Sequence, residues 1–242
     1  MVRKDKKVYD WLTLTAGVMT KDAMRFTPPT LGKGKTSTWA AQKEAGQRAV
    51  ARDIRKIFFS HTEFVATMSK HPLCQQHPKL LALLSSYFAA GDYQKLNTVL
   101  KKMGSRLTVI QSASRDLHFS QRNYQGRVNK PSRRYFVLSL GSIKSYVSLI
   151  QKDVGKLKAG FMAAVNALGV KDIPKWVSVH STPGTCDDQR RAKGTPYVAV
   201  QNLSPNTGGV YIEEIVQRAA AINEPKMRNY LQFQLSRIPH PH

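Results

Sequence analysis

The chain has 242 residues, 41% of them apolar, enough to build a sizeable core and too many for wholesale disorder. Its 38 Lys and Arg against 15 Asp and Glu give a formal charge of +23 and a pI near 10.2, which points to a polyanion, an acidic protein surface or anionic lipid as the natural partner. No run of about 18 apolar residues could cross a membrane, and no apolar segment follows the polar start as in a secretory signal, so the chain is expected to be cytoplasmic at synthesis. Cys74 and Cys186 are too few for a disulfide framework.

The first expected helix covers residues 5–26, with Val8, Trp11, Leu12, Ala16, Met19 and Ala23 near helical spacing and Pro28-Pro29 as its stop. A basic loop, Thr30 to Thr36, separates it from a second helix over about 38–60. Ala45, Ala49, Val50, Ile54, Ile57 and Phe58 make an apolar stripe there, and Lys43, Arg48, Arg52, Arg55 and Lys56 occupy the rest. Residues 77–104 read as a helical hairpin. Pro78 opens its first helix, Gly91 closes it, Asp92 caps the second and Gly104 ends that one.

Strand character is expected at 107–110, 135–138 and 196–200. Between the first two lies a polar loop, 112–134, with six basic residues and one acid. Ser142 opens an expected long helix to Leu168, with Gly155 and Gly160 inside it at a cost of about 1 kcal/mol each. Pro174 begins a short helix through Trp176, residues 181–195 form a loop, and residues 210–238 are helical with a kink at Pro225. The fold class is therefore α+β: several helices, one of them long and central, on a small, mainly antiparallel sheet with extended loop arms.

Candidate chemistry is sparse. Gly34-Lys35-Thr36 lacks the earlier glycine of a phosphate-binding loop, since Pro29 stands at that position. His71, Cys74 and His77 have ligand-type side chains but need a fourth ligand for a structural zinc, and a turn with a partly buried cysteine explains them equally. Asp187-Asp188 lies beside Arg190 and Arg191, where local ion pairing is the simpler reading. No catalytic residue, cofactor or metal is assigned, and the chain is expected not to be an enzyme. Arg115, Arg122, Arg127, Lys130, Arg133 and Arg134, interleaved with His118, Phe119 and Tyr124, could contact a polyanion or serve as a protein-docking arm.

The segment Val154-Gly155-Lys156-Leu157-Lys158-Ala159-Gly160-Phe161 precedes Leu168-Gly169, then Ile173-Pro174-Lys175-Trp176-Val177 and His180, then Pro196-Tyr197-Val198 leading to Asn202. This order resembles the neck, or tail-completion, proteins that join head to tail in tailed bacteriophages. Ala45 to Phe58 and the closing helix with Arg218-Ala219 and Met227-Arg228 look similar too, so the likeness spans residues 36–60 and 135–237. Phe161 stands where the family usually carries tryptophan. The resemblance implies one neck-type domain over 1–242, with the hairpin 77–104 and the basic loop 112–134 as insertions. It implies a structural virion protein at the head–tail junction, in a ring, commonly of six copies, between connector and tail proteins and around the DNA channel. Gly155, Lys156, Gly160, Phe161, Pro174 and Trp176 are its expected packing and assembly residues, and non-specific contact with packaged DNA is expected. The alternative is a free-standing basic nucleic-acid-binding protein.

Overall fold

The computed structural model describes residues 2–31, 38–121, 135–192, 194–204 and 212–236. The fold is α+β, and the chain divides into two compact units: residues 1–46 with 153–242, and residues 47–152. Arg122, Arg127, Lys130, Arg133, Arg134 and Tyr124 lie outside the described residues, as does the loop Gly32 to Thr36.

In the first unit, α1 (Val2–Phe26) is the frame, and α12 (Ile212–Ser236) packs along it. Trp11 donates its indole N–H to the Met227 carbonyl at 3.3 Å, and Asn223 donates to Asp22 at 2.9 Å. The helix α12 continues through Pro225. Between these helices in sequence come the start of α2 (Trp39–Ile57), α9 (Lys156–Ala159), α10 (Met162–Leu168), α11 (Lys175–Ser178) and a two-stranded hairpin. That hairpin pairs β4 (Gly184–Gln189) with β5 (Tyr197–Asn202) antiparallel, in register Gly184↔Asn202 to Gln189↔Tyr197. Ala23, Met24, Ala159, Phe161, Val165, Val177 and Ala219 are the buried core of this unit.

The second unit is built on a three-stranded sheet of β1 (Phe58–Ser60), β2 (Leu107–Val109) and β3 (Tyr135–Leu138), in the order β1-β3-β2. Both pairings are parallel, Phe58 opposite Phe136 and Val109 opposite Val137. The expectation of a mainly antiparallel sheet therefore fails for the larger of the two sheets. Parallel strands need long crossovers, and the helices α3 (His61–Met68), α4 (Pro72–Gln76), α5 (Pro78–Ala89) and α6 (Tyr93–Lys102) carry the chain from β1 to β2, the two strands that flank β3. Central β3 is buried on both faces, as parallel strands are. Val137 joins Phe64, Leu84, Leu96 and Leu100 on one side. Phe136 and Leu138 join Ile54, Ile57, Phe58 and Tyr146 on the other.

The expected helix 142–168 is three pieces: α8 (Leu140–Gln151), α9 and α10. Gly155 takes φ +108°, a left-handed conformation that cannot continue a right-handed helix, so the chain turns there. The second expected helix ends at Ile57, because Phe58-Phe59-Ser60 pairs with β3 instead. Two expected loops contain regular structure: α7 (Arg115–Ser120) lies in the stretch 112–134, and β4 lies in 181–195.

Candidate functional site

The glycine-rich segment after Asp153 is closely fitted against its neighbours in the first unit. A Cβ on Gly155 would lie 2.6 Å from the Trp176 carbonyl oxygen and 2.8 Å from its indole ring. Pro174 precedes α11 with φ −70°, and its carbonyl accepts from the Val177 and Ser178 N–H groups at 2.9 and 3.2 Å, which sets Trp176 against the glycine. His180 is 3.0 Å from the Val154 carbonyl through Nε2 and closes the same turn.

Gly160 makes the second close approach. Its Cβ would meet the Asn202 side chain at 1.9 Å and the Ser204 hydroxyl at 2.6 Å. Asn202 donates to the Leu157 carbonyl at 2.8 Å and accepts from the Ser204 N–H and hydroxyl at 3.0 and 2.6 Å. The end of β5 is thereby fastened to α9. Phe161, 1% exposed, fills the core directly after.

Between the two glycines sits Lys158, fully buried. Its ammonium donates to the carbonyls of Met24 at 2.7 Å and Arg25 at 3.5 Å, and closely to that of Thr27. These are carbonyls at the C-terminus of α1, which lack helical partners and carry the negative end of the helix dipole. The Trp39 ring centroid is 5.6 Å from the same nitrogen, and Trp39 meets Trp176 edge to face at 6.4 Å. Burial pushes the Lys158 pKa down to about 7. Sequence reading named Lys156 instead. Lys156 is half exposed and pairs with Asp153 at 2.6 Å, so it takes no part in the packing. A lysine between two closely packed glycines was the available signal for Lys158, and its charge argued against burial.

A second polar cluster joins α1 to the hairpin. Arg190, 7% exposed, grips both Asp188 oxygens at 2.6 Å, donates to the Thr13 hydroxyl at 2.7 Å and the Ala167 carbonyl at 3.0 Å, and lies 4.9 Å from the Tyr9 ring centroid. The Arg190 guanidinium holds the Asp188 carboxyl below its usual range. Asp187 is exposed; hydrogen bonds from Gln189 and Tyr197 lower its pKa in turn. The acid pair is thus ion-paired and hydrogen-bonded on a strand.

Of the basic residues 115–134, the structure describes Arg115 alone, exposed on α7. His118 is buried. It lies 3.2 Å from the Tyr146 hydroxyl and 3.4 Å from Asp53, with its ring stacked on Phe119, so it cannot offer a face to a nucleic-acid base. His71 caps α4 and Cys74 is in the core, its thiol pKa raised by burial. Among the described residues no group of three or more His, Cys, Asp or Glu is placed to hold a metal ion, and no helix is long and apolar enough to cross a membrane.

The first unit also has an apolar cleft of about 160 Å³, lined by Met19, Phe161, Val198, Val200, Val216 and Ala219 from α1, β5 and α12 among others. Large apolar side chains stand in solvent on the same two helices, Leu14 at 53% and Phe233 at 49% exposure among them. No family model, curated protein or solved structure matches this chain.

Proposed function

We propose that this chain is a structural virion protein of the phage head–tail interface, one subunit of a ring between connector and tail around the DNA channel. It works by binding, not catalysis. The observation that carries the reading is the convergence of the motif residues on one joint. Gly155 seats Trp176, Gly160 seats Asn202, and Lys158 between them ties down the end of α1. A motif of this kind fixes the relative placement of a long helix and a hairpin, which suits a part whose shape is its function.

Leu14 and Val18 on α1 and Val216, Ile222, Tyr230 and Phe233 on α12 are exposed apolar side chains available to protein partners, which supports the reading. The ring, expected to be hexameric, and its connector and tail neighbours come from the family resemblance. The competing reading, a free-standing nucleic-acid binder, draws on the charge alone.

Electron microscopy of the purified protein, with mass spectrometry of the virion, tests the proposal. Closed rings and the chain's presence in the particle are expected. A protein that stays monomeric at all concentrations and is missing from the virion overturns it.

A further inference from the structure

The charge excess is concentrated in the second unit, where residues 47–152 hold 18 Lys and Arg against four Asp and Glu. All four acids have local positions that account for them. Glu63 completes the capping box of α3, Asp92 caps α6 and bonds Lys95, Asp53 faces His118, and Asp116 sits in the first turn of α7. The cations of this unit thus outnumber its acids by 14.

Four of those cations share one helix face. At about 100° per residue, Arg48, Arg52, Arg55 and Lys56 fall within an arc of about 100° on α2. All four are exposed, and the arc lies opposite the buried Ile54 and Ile57. Lys43 falls outside this arc, and Glu44, four residues before Arg48, bounds it. The stripe is about 12 Å long at 1.5 Å per residue, which corresponds to the axial rise of three to four base pairs at about 3.4 Å each. Three of the four are arginines, whose planar forks engage phosphate oxygens in pairs. The stripe itself has no aromatic side chain, so it offers no stacking platform for unpaired bases.

The geometry points to the α2 stripe Arg48-Arg52-Arg55-Lys56 as a binding surface for the phosphate backbone of duplex DNA, without sequence readout. The surface deepens the junction reading by naming where passing DNA is met. It rests on that reading only for which DNA the protein encounters, because the contact itself needs no ring.

Fluorescence anisotropy with a labelled mixed-sequence duplex, titrated between about 50 and about 200 mM salt, is the test. The full chain is expected to bind at low salt with a steep log–log salt dependence. Arg52→Gln/Arg55→Gln is expected to weaken binding and flatten the slope by about 1.8, about 0.9 for each lost phosphate contact. Arg52→Lys/Arg55→Lys retains most of the slope. Lys171→Gln/Lys175→Gln, which removes the same charge from exposed positions in the first unit, leaves binding nearly unchanged. Circular dichroism melts establish that each variant is folded. Four outcomes overturn the proposal: no binding at about 50 mM salt, no effect of the α2 pair, an equal effect of the control pair, or displacement of DNA by polyglutamate as effectively as by unlabelled duplex. None of them bears on ring formation, so the two readings fail separately.

Discussion

Lys158 Nζ lies 2.7 Å from the carbonyl oxygen of Met24, holding the last turn of α1 from a side chain 134 residues away in sequence. A buried ammonium is costly in isolation, and here main-chain carbonyls and the Trp39 face offset part of that cost, the rest showing as the depressed pKa.

Replacing Lys158 with methionine keeps the aliphatic bulk and leaves buried carbonyls without a donor, at about 1–3 kcal/mol for each one stranded. A loss of about 3 kcal/mol is expected in thermal or urea unfolding. The pH dependence adds a sharper readout. The folded pKa is depressed to about 7 from the ordinary 10.5, so above pH 7 the unfolded chain binds more protons than the folded one. Stability from this group rises as pH goes from about 7 towards 10.5 and is lost as pH falls back through 7. The stability difference between the wild type and Lys158→Met should widen in favour of the wild type over that window. A difference independent of pH would mean that the lysine keeps its ordinary pKa.

The two motif glycines are close contacts of different kinds, and a double-mutant comparison separates them. Gly160→Ala collides with the side chains of Asn202 and Ser204, whereas Gly155→Ala collides with the Trp176 main chain and also has to hold φ +108°. Each is expected to cost about 2–4 kcal/mol. In an Asn202→Ala/Ser204→Ala background the Gly160→Ala penalty should shrink by more than about 1 kcal/mol, while the Gly155→Ala penalty stays as it was. Unfolding free energies of the single and combined variants provide the check.

Much of this organisation was legible in the sequence, and the gaps have physical causes. The hairpin α5–α6 could be read because its punctuation is explicit: Pro78 at the start, Asp92 as cap, and Gly91 and Gly104 at φ +72° and +71°. Tyr135–Leu138 was plain as a continuous apolar run. By contrast β1 is three residues long, too short for any period, and its Phe58-Phe59 extends the apolar stripe of α2. Parallel pairing was hidden for the same reason, because it is decided by the crossover helices and not by the strands. Gly155 could be read as a tolerated helix glycine, since only its contact with Trp176 demands a left-handed turn. His118 was read among surface contacts and Lys158 was passed over, because composition places polar side chains outside and only tertiary partners can bring them in.

Arg190 and Asp188 are expected to behave as a unit. Arg190→Met removes the bidentate pair and the bonds to Thr13 and Ala167, with a loss of about 2–3 kcal/mol expected. The depressed Asp188 pKa means that its contribution is present above the ordinary carboxylate value and is lost as pH falls through the lower folded value. Asp188→Asn should therefore be less stable than the wild type at neutral pH and converge with it on acidification. Melting temperatures measured from pH 7 down to about 3 follow this directly; parallel curves would remove Asp188 from the acid response.

The edge strand β2 is capped at Val109 by one side chain. Asn97, on α6, donates its amide to the Val109 carbonyl at 2.8 Å and accepts from the Val109 N–H at 2.7 Å, copying the bonds that a further strand would make. An edge strand with unmet main-chain groups is open to pairing with another chain, and Asn97 closes that route at Val109. Asn97→Ala strands one donor and one acceptor, for an expected loss of about 2–3 kcal/mol. Asn97→Asp keeps the acceptor for the N–H but sets a carboxylate oxygen against the Val109 carbonyl, so it should restore little of that loss. Leu96 and Leu100 on the same helix are in the core, so α6 has other anchors and both variants should still fold. Amide hydrogen exchange at Val109 is the direct measurement: protection in the wild type should drop in both variants ahead of global unfolding. Unchanged exchange in Asn97→Ala would assign the protection of this edge to burial instead of to the asparagine.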